Sequence, residues 1–318
     1  MRAPEFWHSK GLLSTLLAPA GWVWAMGARI RAGRGGAPSP VPVICVGNLT
    51  VGGVGKTPVA AAIARLIPGA QFLSKGYGGR ENGPLLVDLH EHSYDQVGDE
   101  PLLLAEVGPC WMAKDRVAGA EAAASAGARC LIMDDGFQDP KLIKDLSILV
   151  VDGHTGFGNG RCMPAGPLRE PVSVGLKRAD AVVILGEDRH GIAERVAPLP
   201  VVKAYLEAEA EASVLHGRKV VAFAGIGRPA KFFHTLEHLG ADVAEGYAFP
   251  DHHPYHPGEI AELQRAALNH SAILITTAKD VVRVPAHFRD ELAVLQMDIA
   301  FEDETALLDI LHRVLGEA

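Results

Sequence analysis

Val43-Ile44-Cys45-Val46-Gly47-Asn48-Leu49-Thr50-Val51-Gly52-Gly53-Val54-Gly55-Lys56-Thr57-Pro58 is the stretch on which the reading of this chain turns. An apolar, β-branched run leads into a glycine-rich turn. Lys-Thr follows, at the head of an apolar helical pattern over residues 58–67. Strand, glycine turn, Lys-Thr and helix in that order is the setting of a phosphate-binding P-loop. The glycines let successive backbone N–H groups converge on one anion, and the helix N-terminus adds its positive end. Thr50, Val51, Gly52, Gly53, Val54, Gly55, Lys56 and Thr57 are therefore the candidate nucleotide cradle. Lys56 suits the β- and γ-phosphates, and the Thr57 hydroxyl suits Mg²⁺. The usual pattern opens on glycine, whereas this one opens on Thr50. A turn that binds nothing is the bland alternative; the agreement of motif and context favours phosphate.

Outward from this loop, apolar strands and helices alternate. Strands are expected over 71–74, 85–89, 130–133, 146–151 and 181–185, with helices over 99–107 and 117–126. That alternation implies an α/β fold with a doubly wound, mostly parallel sheet. A second, smaller α/β domain follows, with strands over 220–224, 242–248 and 272–276 and helices over 229–239 and 257–268. The extended segments 201–208 and 293–300 flank it and are expected to pair as a two-stranded linker, before a last helix over 304–315. The expected division is an N-terminal segment (1–36), a P-loop core (37–209) and the smaller domain (210–318).

A chain of 318 residues with 48% hydrophobic content can fill two cores;. Its formal net charge of -8 argues against nucleic acid as a partner;. The four cysteines show no paired spacing and read as reduced core residues of a cytosolic protein;. The N-terminus differs from the rest. Residues 11–28 carry no charge, include Trp22 and Trp24, and are followed by Arg29, Arg31 and Arg34. Pro19 and interspersed glycines weaken a membrane span, which needs ~20 predominantly apolar residues. A segment lying in the membrane interface is expected, with tryptophans at headgroup depth and arginines facing anionic lipid. A helix packed on the protein's own surface is the alternative.

Several polar clusters could carry chemistry. Asp134 and Asp135 end an apolar strand, where ligands gather in open α/β sheets, and could bind Mg²⁺. Asp99, in Gly98-Asp99-Glu100-Pro101, reads equally as a helix cap or as a base for an attacking hydroxyl. Asp251-His252-His253-Pro254-Tyr255-His256 tempts a zinc reading, but Pro254 and Pro257 bar a helix that would align the imidazoles; a general-base or orienting histidine fits better. Arg161, Arg169 and Glu170 stand out in a stiff loop over 158–171, as a phosphate clamp or as a surface ion pair. Lys279, in Thr276-Thr277-Ala278-Lys279-Asp280, faces either a phosphate or solvent.

Together these stretches resemble the tetraacyldisaccharide 4′-kinases of lipid A synthesis, over almost the whole chain. The likeness rests on Phe6-Trp7, Val46 to Thr50 entering Gly52 to Pro58, Gly76-Tyr77-Gly78, Gly98 to Pro101 and Asp134-Asp135-Gly136-Phe137-Gln138. It continues through the 158–171 loop, Phe223-Ala224-Gly225-Ile226-Gly227, Asp251-His252 and Thr276-Thr277 with Lys279-Asp280. Lys75 and Asp139 depart from the family's more frequent residues. The resemblance implies a membrane-associated lipid kinase, acting as a monomer at the cytoplasmic face of the bacterial inner membrane. It would move the γ-phosphate of ATP to the 4′-hydroxyl of an acylated disaccharide 1-phosphate, giving lipid IVA. It further implies Lys56 on phosphate, Thr57, Asp134 and Asp135 on Mg²⁺, and Asp99 with His252 as the base. Asn48, Lys75, Tyr77, Arg80, Gln138, Arg161, Arg169 and Glu170 are the substrate contacts it implies. The rival readings are a P-loop kinase acting on another small or lipid substrate and a ParA/MinD-like membrane-associated ATPase switch; the extra P-loop lysine of the latter is replaced here by Val51.

Overall fold

The structure, a computed structural model, describes residues 4–316; residues 1–3 of the expected interface segment and 317–318 at the other end lie outside it. Among the described residues, thirteen strands form two sheets. The larger contains β1 (Val43–Gly47), β2 (Ala70–Ser74), β3 (Leu85–Leu86), β4 (Cys110–Met112), β5 (Cys130–Asp134), β6 (Leu146–Asp152), β7 (Ala181–Leu185), β8 (Val201–Ala208) and β13 (Met297–Phe301). Its order is β13-β8-β7-β6-β1-β5-β2-β4-β3. From β8 to β4 all neighbours are parallel, and the two edge strands β13 and β3 are antiparallel. The smaller sheet is parallel throughout, in the order β10 (Asp242–Ala248), β9 (Lys219–Ala224), β11 (Ile273–Thr277), β12 (Ala293–Leu295).

Successive side chains of a strand point to opposite faces, and β1 uses both. Ile44 and Val46 join a core with Ile63, Leu102 and Leu307; Val43 and Cys45 join another with Ala120, Ala123 and Ile192. Helices therefore cover both faces of the large sheet. The small sheet repeats this plan, with Phe232 and Leu236 on one side and Ile260 and Leu263 on the other.

β1 lies between β5 and β6, where the direction of strand order reverses. The carboxyl ends of these three strands meet at the crevice such sheets use for ligands. The P-loop, Asp134 and Asp152 all sit there.

Three elements differ from the expectation. The strand over 85–89 is cut to two residues, because Asp88 turns the chain by accepting from the His90 and Glu91 N–H groups. β4 was not anticipated: three residues are too few to show alternation. The segment 293–300 breaks at Gln296, so β12 completes the small sheet while β13 returns to the large one. The expected pairing of 201–208 with the returning chain does form, Met297 opposite Ala208 through Phe301 opposite Ala204. It is continuous with the large sheet, since β8 also pairs with β7.

The N-terminal segment forms α1 (Leu12–Leu16) and α2 (Ala18–Ala32). No helix among the described residues is long and apolar enough to cross a membrane.

Candidate active site

The P-loop leaves β1 and enters α3 (Lys56–Arg65) through Gly55, the helix N-cap, in left-handed backbone (φ 88°). A Cβ there would also stand 2.4 Å from Leu185 Cδ2, so glycine is needed for conformation and for space;. Val51, Gly52 and Gly53 face solvent, while Thr50 and Val54 are buried. The loop is laced to residues 158–171. The Val51 N–H donates to the Pro167 carbonyl (2.8 Å) and the Arg169 N–H to the Leu49 carbonyl (2.7 Å), and Thr50 forms a bridge with Leu168.

Beneath it lies a polar brace. The Asn48 amide donates to the Thr50 carbonyl (2.8 Å), and Gln138 Nε2 donates to the Asn48 carbonyl (2.8 Å) and to Glu170 Oε1 (3.1 Å). Glu170 is buried and ion-paired to Arg178 at 2.5 Å. The structure thus puts Asn48, Gln138 and Glu170 under the loop, bonded within the protein, although Asn48 Oδ1 is buried without a partner. Arg178, absent from the sequence reading, completes this brace.

Thr57 Oγ1 donates to Asp134 Oδ2 (2.8 Å), which parallel pairing of β5 with β1 brings alongside. Burial pushes the Asp134 carboxyl up to about 6; Lys56 and the Thr57 bond oppose this, and the Asp135 and Glu100 charges add to it. Its other oxygen, Oδ1, is buried without a hydrogen-bond partner. Asp135 has left-handed backbone (φ 49°). That turns its carboxylate toward Arg169 Nη1 (2.8 and 3.1 Å) and Lys56 Nζ (3.7 Å). Burial alone would raise its pKa, but Lys56 and Arg169 outweigh it and hold the group below the usual carboxylate range. The two adjacent aspartates therefore differ: one is proton-holding and half-unpartnered, the other is ion-paired. A hydroxyl and a buried carboxylate oxygen with a free lone pair are oxygen donors suited to a hard divalent cation.

Asp99 is the first residue of the helix Asp99–Ala105, entered through Gly98 (φ 91°). Its side chain is buried and does not cap that helix. Asp99 Oδ2 instead accepts from His252 Nδ1 (2.8 Å) and lies 3.4 Å from Arg283 Nε. His252 belongs to the loop after β10, in the other lobe, and also has positive φ (59°). Left-handed backbone at a non-glycine residue costs of order 1 kcal/mol or more and clusters at functional sites; Asp135 and His252 follow that pattern. The neighbouring imidazoles diverge. His253 turns to Glu259, and His256 caps the helix Pro257–Asn269, so these three rings do not share a metal.

The remaining expected contacts lie further out. Lys75 and Tyr77 are exposed on the loop after β2, whose Gly76 packs against the Val97 carbonyl. Arg80, on the same loop, is ion-paired to Asp95. Arg161 donates to the hydroxyls of Ser14 (3.3 Å) and Thr15 (3.2 Å) on α1. Arg283 was missed by sequence reading. Its signal is the spacing from Asp280, three residues earlier, which puts both on one helical face. Glu100, half-buried with Oε2 unpartnered and its charge felt by Asp134, is a further site carboxylate that sequence reading missed.

A P-loop at the switch point of a doubly wound sheet, an acidic strand end beside its Lys-Thr, and a buried carboxylate at a second lobe define a two-lobed P-loop phosphotransferase. The profile of the tetraacyldisaccharide-1-P 4′-kinase family matches residues 13–316. The tetraacyldisaccharide 4′-kinase of Rhodospirillum centenum is 52% identical, covering 99% of this chain and 97% of that relative. That of Paramagnetospirillum magneticum is 50% identical, covering 99% of each. The crystal structure of LpxK from Aquifex aeolicus in complex with ATP superposes with a TM-score of 0.79 at 29% identity, over 96% of this chain and 100% of that one. The chain belongs to the tetraacyldisaccharide-1-P 4′-kinase family.

Proposed function

We infer that this protein is a kinase that transfers the γ-phosphate of ATP to the 4′-hydroxyl of a tetraacyldisaccharide 1-phosphate, giving lipid IVA in lipid A biosynthesis. Family membership over nearly the full chain carries this reading. Phosphoryl transfer rests on positioning and charge stabilisation, and the site residues divide that work. The loop Thr50 to Thr57 wraps the phosphates through its N–H groups. Lys56 exchanges its long contact with Asp135 for the β- and γ-phosphates. Arg169, paired with Asp135 as Lys56 is, would contact the transferring group. Thr57 and Asp134, with Asp135 beside them, would hold Mg²⁺, which when bound neutralises charge on the phosphate oxygens. Asp99 accepts the proton of the 4′-hydroxyl, and His252 holds that carboxylate in place. Lys75, Tyr77 and Arg80, on the loop beside Gly98, would meet the sugar.

The N-terminal segment (1–36) would bring the core (37–209) and the smaller domain (210–318) to the cytoplasmic leaflet of the inner membrane. Leu12, Leu13, Leu16, Trp22, Val23, Met26 and Ile30 are all exposed on α1 and α2, with Arg29 and Arg31 in the last turn of α2. A substrate with acyl chains cannot leave a bilayer cheaply, at ~0.8 kcal/mol per CH₂, so an exposed apolar and cationic face supports binding there. The test is the purified protein with ATP, Mg²⁺ and the disaccharide lipid. A product carrying phosphate at the 4′ position is expected. Folded, ATP-binding protein that makes none would end this reading.

A further inference from the structure

Where the chain leaves α2, Ala32, Arg34 and Gly36 form one wall of a pocket of about 210 Å³ on the large lobe. Lys144 and Arg178 line it from the other side, together with Ser147, Leu142 and Ile143. Among the described residues no carboxylate lines it. The carboxylates nearby in sequence are engaged elsewhere. Asp139 accepts from the Lys141 N–H (3.0 Å) and lies 3.8 Å from Arg116 Nε. Asp145 accepts from the Val43 N–H (2.8 Å), and Asp180 from the Ser147 N–H (2.8 Å).

The cations that line the pocket are short of acceptors. Arg178 gives one Nη to Glu170 and the other to the Phe137 carbonyl (2.9 Å), and its Nε is buried without a partner. An ammonium carries three donors, yet the Asp139 carbonyl is the one acceptor of Lys144 Nζ among the described residues. Burial pushes the Lys144 pKa below the ordinary lysine value; Arg116 and Arg178 add to this, against Cys45 and Asp139. Arg34 is exposed at the mouth. The rim differs from the floor. Ile143 is exposed there, and the last turn of α2 carries exposed Ile30 between Arg29 and Arg31. Fixed N–H donors suit phosphate oxygens. Exposed isoleucines beside them suit the first methylenes of an acyl chain, which a free phosphate ion lacks.

We propose that this pocket binds the phosphate headgroup of one anionic glycerophospholipid of the bilayer, between Arg34, Lys144 and Arg178, and so seats the large lobe on the membrane in one orientation. This deepens the interface reading of α1 and α2 and rests on it. The apolar arm grips any bilayer, and Arg29 and Arg31 are drawn to any anionic leaflet. The pocket instead selects a single headgroup, because its donors are fixed by the fold and converge on one point.

The probe is dihexanoyl phosphatidylglycerol below its micelle concentration, so that no surface forms. It is titrated calorimetrically into the full-length protein, with the P-loop filled by Mg²⁺ and a non-hydrolysable ATP analogue. Saturable binding of one lipid is expected. Arg34→Gln with Lys144→Gln should weaken it roughly 10-fold or more, as loss of charge-assisted hydrogen bonds does, while affinity for the ATP analogue holds. Arg29→Gln with Arg31→Gln removes the same charge outside the pocket and should leave it nearly unchanged. Arg178 stays intact because it braces the P-loop. If the pocket double variant does not fold, Arg34→Gln alone carries the test. Equal losses in the two double variants overturn the proposal in favour of diffuse charge. Equal affinity for dihexanoyl phosphatidylcholine, or for inorganic phosphate, overturns it in favour of an apolar groove or a free-anion site. Displacement of the probe by the disaccharide 1-phosphate assigns the pocket to the acceptor substrate instead. Phosphatidylcholine vesicles with and without phosphatidylglycerol separate the two readings. Vesicle binding without capture of the short-chain lipid overturns the pocket and leaves the membrane reading standing. Capture without vesicle binding overturns the bilayer as the source of the ligand, and the membrane reading with it.

Discussion

Asp134 holds its proton up to about pH 6 in the folded protein, against 3.8 for an ordinary aspartate. The native state therefore binds more protons than the unfolded one in that window. Its stabilising share is complete below the unfolded value and is lost as pH rises through about 6;. At pH 8 the buried charge is a cost on the order of 3 kcal/mol. Asp134→Asn should accordingly raise Tm of the nucleotide-free protein at pH 8 and leave it nearly unchanged at pH 4, while turnover with Mg²⁺–ATP collapses; thermal melts at both pH values decide this. On the proposed function, a cation held there would offset that cost. Asp99 makes the opposite trade, being buried but well partnered. Asp99→Asn keeps its shape and should lose roughly 10²- to 10⁴-fold in kcat with ATP affinity within about twofold, read by steady-state kinetics beside nucleotide titration. Equal loss of both would make Asp99 a structural residue.

Among the elements, α1 and α2 carry large apolar side chains outward. Their exposed leucines and tryptophans are visible as an uncharged run in the sequence. The seat of the N-terminal segment on residues 158–171 is not, because much of it is made of backbone acceptors just ahead of α1: the Asn159 amide reaches the Phe6 and Ser9 carbonyls, and Trp7 Nε1 the Pro164 carbonyl. Replacing Leu13, Trp22 and Val23 together by glutamine should cut co-sedimentation with anionic vesicles severalfold while nucleotide affinity holds. Unchanged sedimentation would remove the interface role. The same contrast runs through the fold. Strands such as β1, β6 and β7, buried on both faces, announce themselves by unbroken apolar runs. β4 does not, since three residues carry no period. At the site, the P-loop and Asp134-Asp135 were legible because local order alone builds them. The Asp99–His252 pair and the Arg283 contact to Asp99 were not legible from spacing, because tertiary folding across 153 residues assembles the first, and family likeness had to supply that pairing.

At the scale of the whole molecule, the chain leaves the large sheet after β8, builds the small lobe and returns as β13. Side chains then pin one lobe to the other. Besides Asp99 and His252, Arg228 of the small lobe reaches Asp152 at the end of β6, at 2.5 Å. Burial pushes the Asp152 carboxyl up, but Arg228 and the His154 N–H outweigh it and hold the pKa below the usual range. The stabilisation from such a depressed group is present above its unfolded value and is lost as pH falls through the native one. Arg228→Met should therefore cost about 1 kcal/mol near pH 7, a figure kept small because the guanidinium is half exposed. The gap from wild type should narrow as pH is lowered toward ~3, as followed by thermal unfolding. One further link has a practical side. The Trp24 indole donates to the Arg169 carbonyl (2.8 Å), so the oily arm also clasps the strip of chain that is laced to the P-loop. Anyone shortening the protein for easier handling would unfasten that clasp. Sluggish turnover would then be blamed on distance from lipid when the fault lay in a slack active-site loop. Blunting the greasy side chains singly, with Trp24 left whole, keeps delivery to the bilayer separate from grip on the nucleotide.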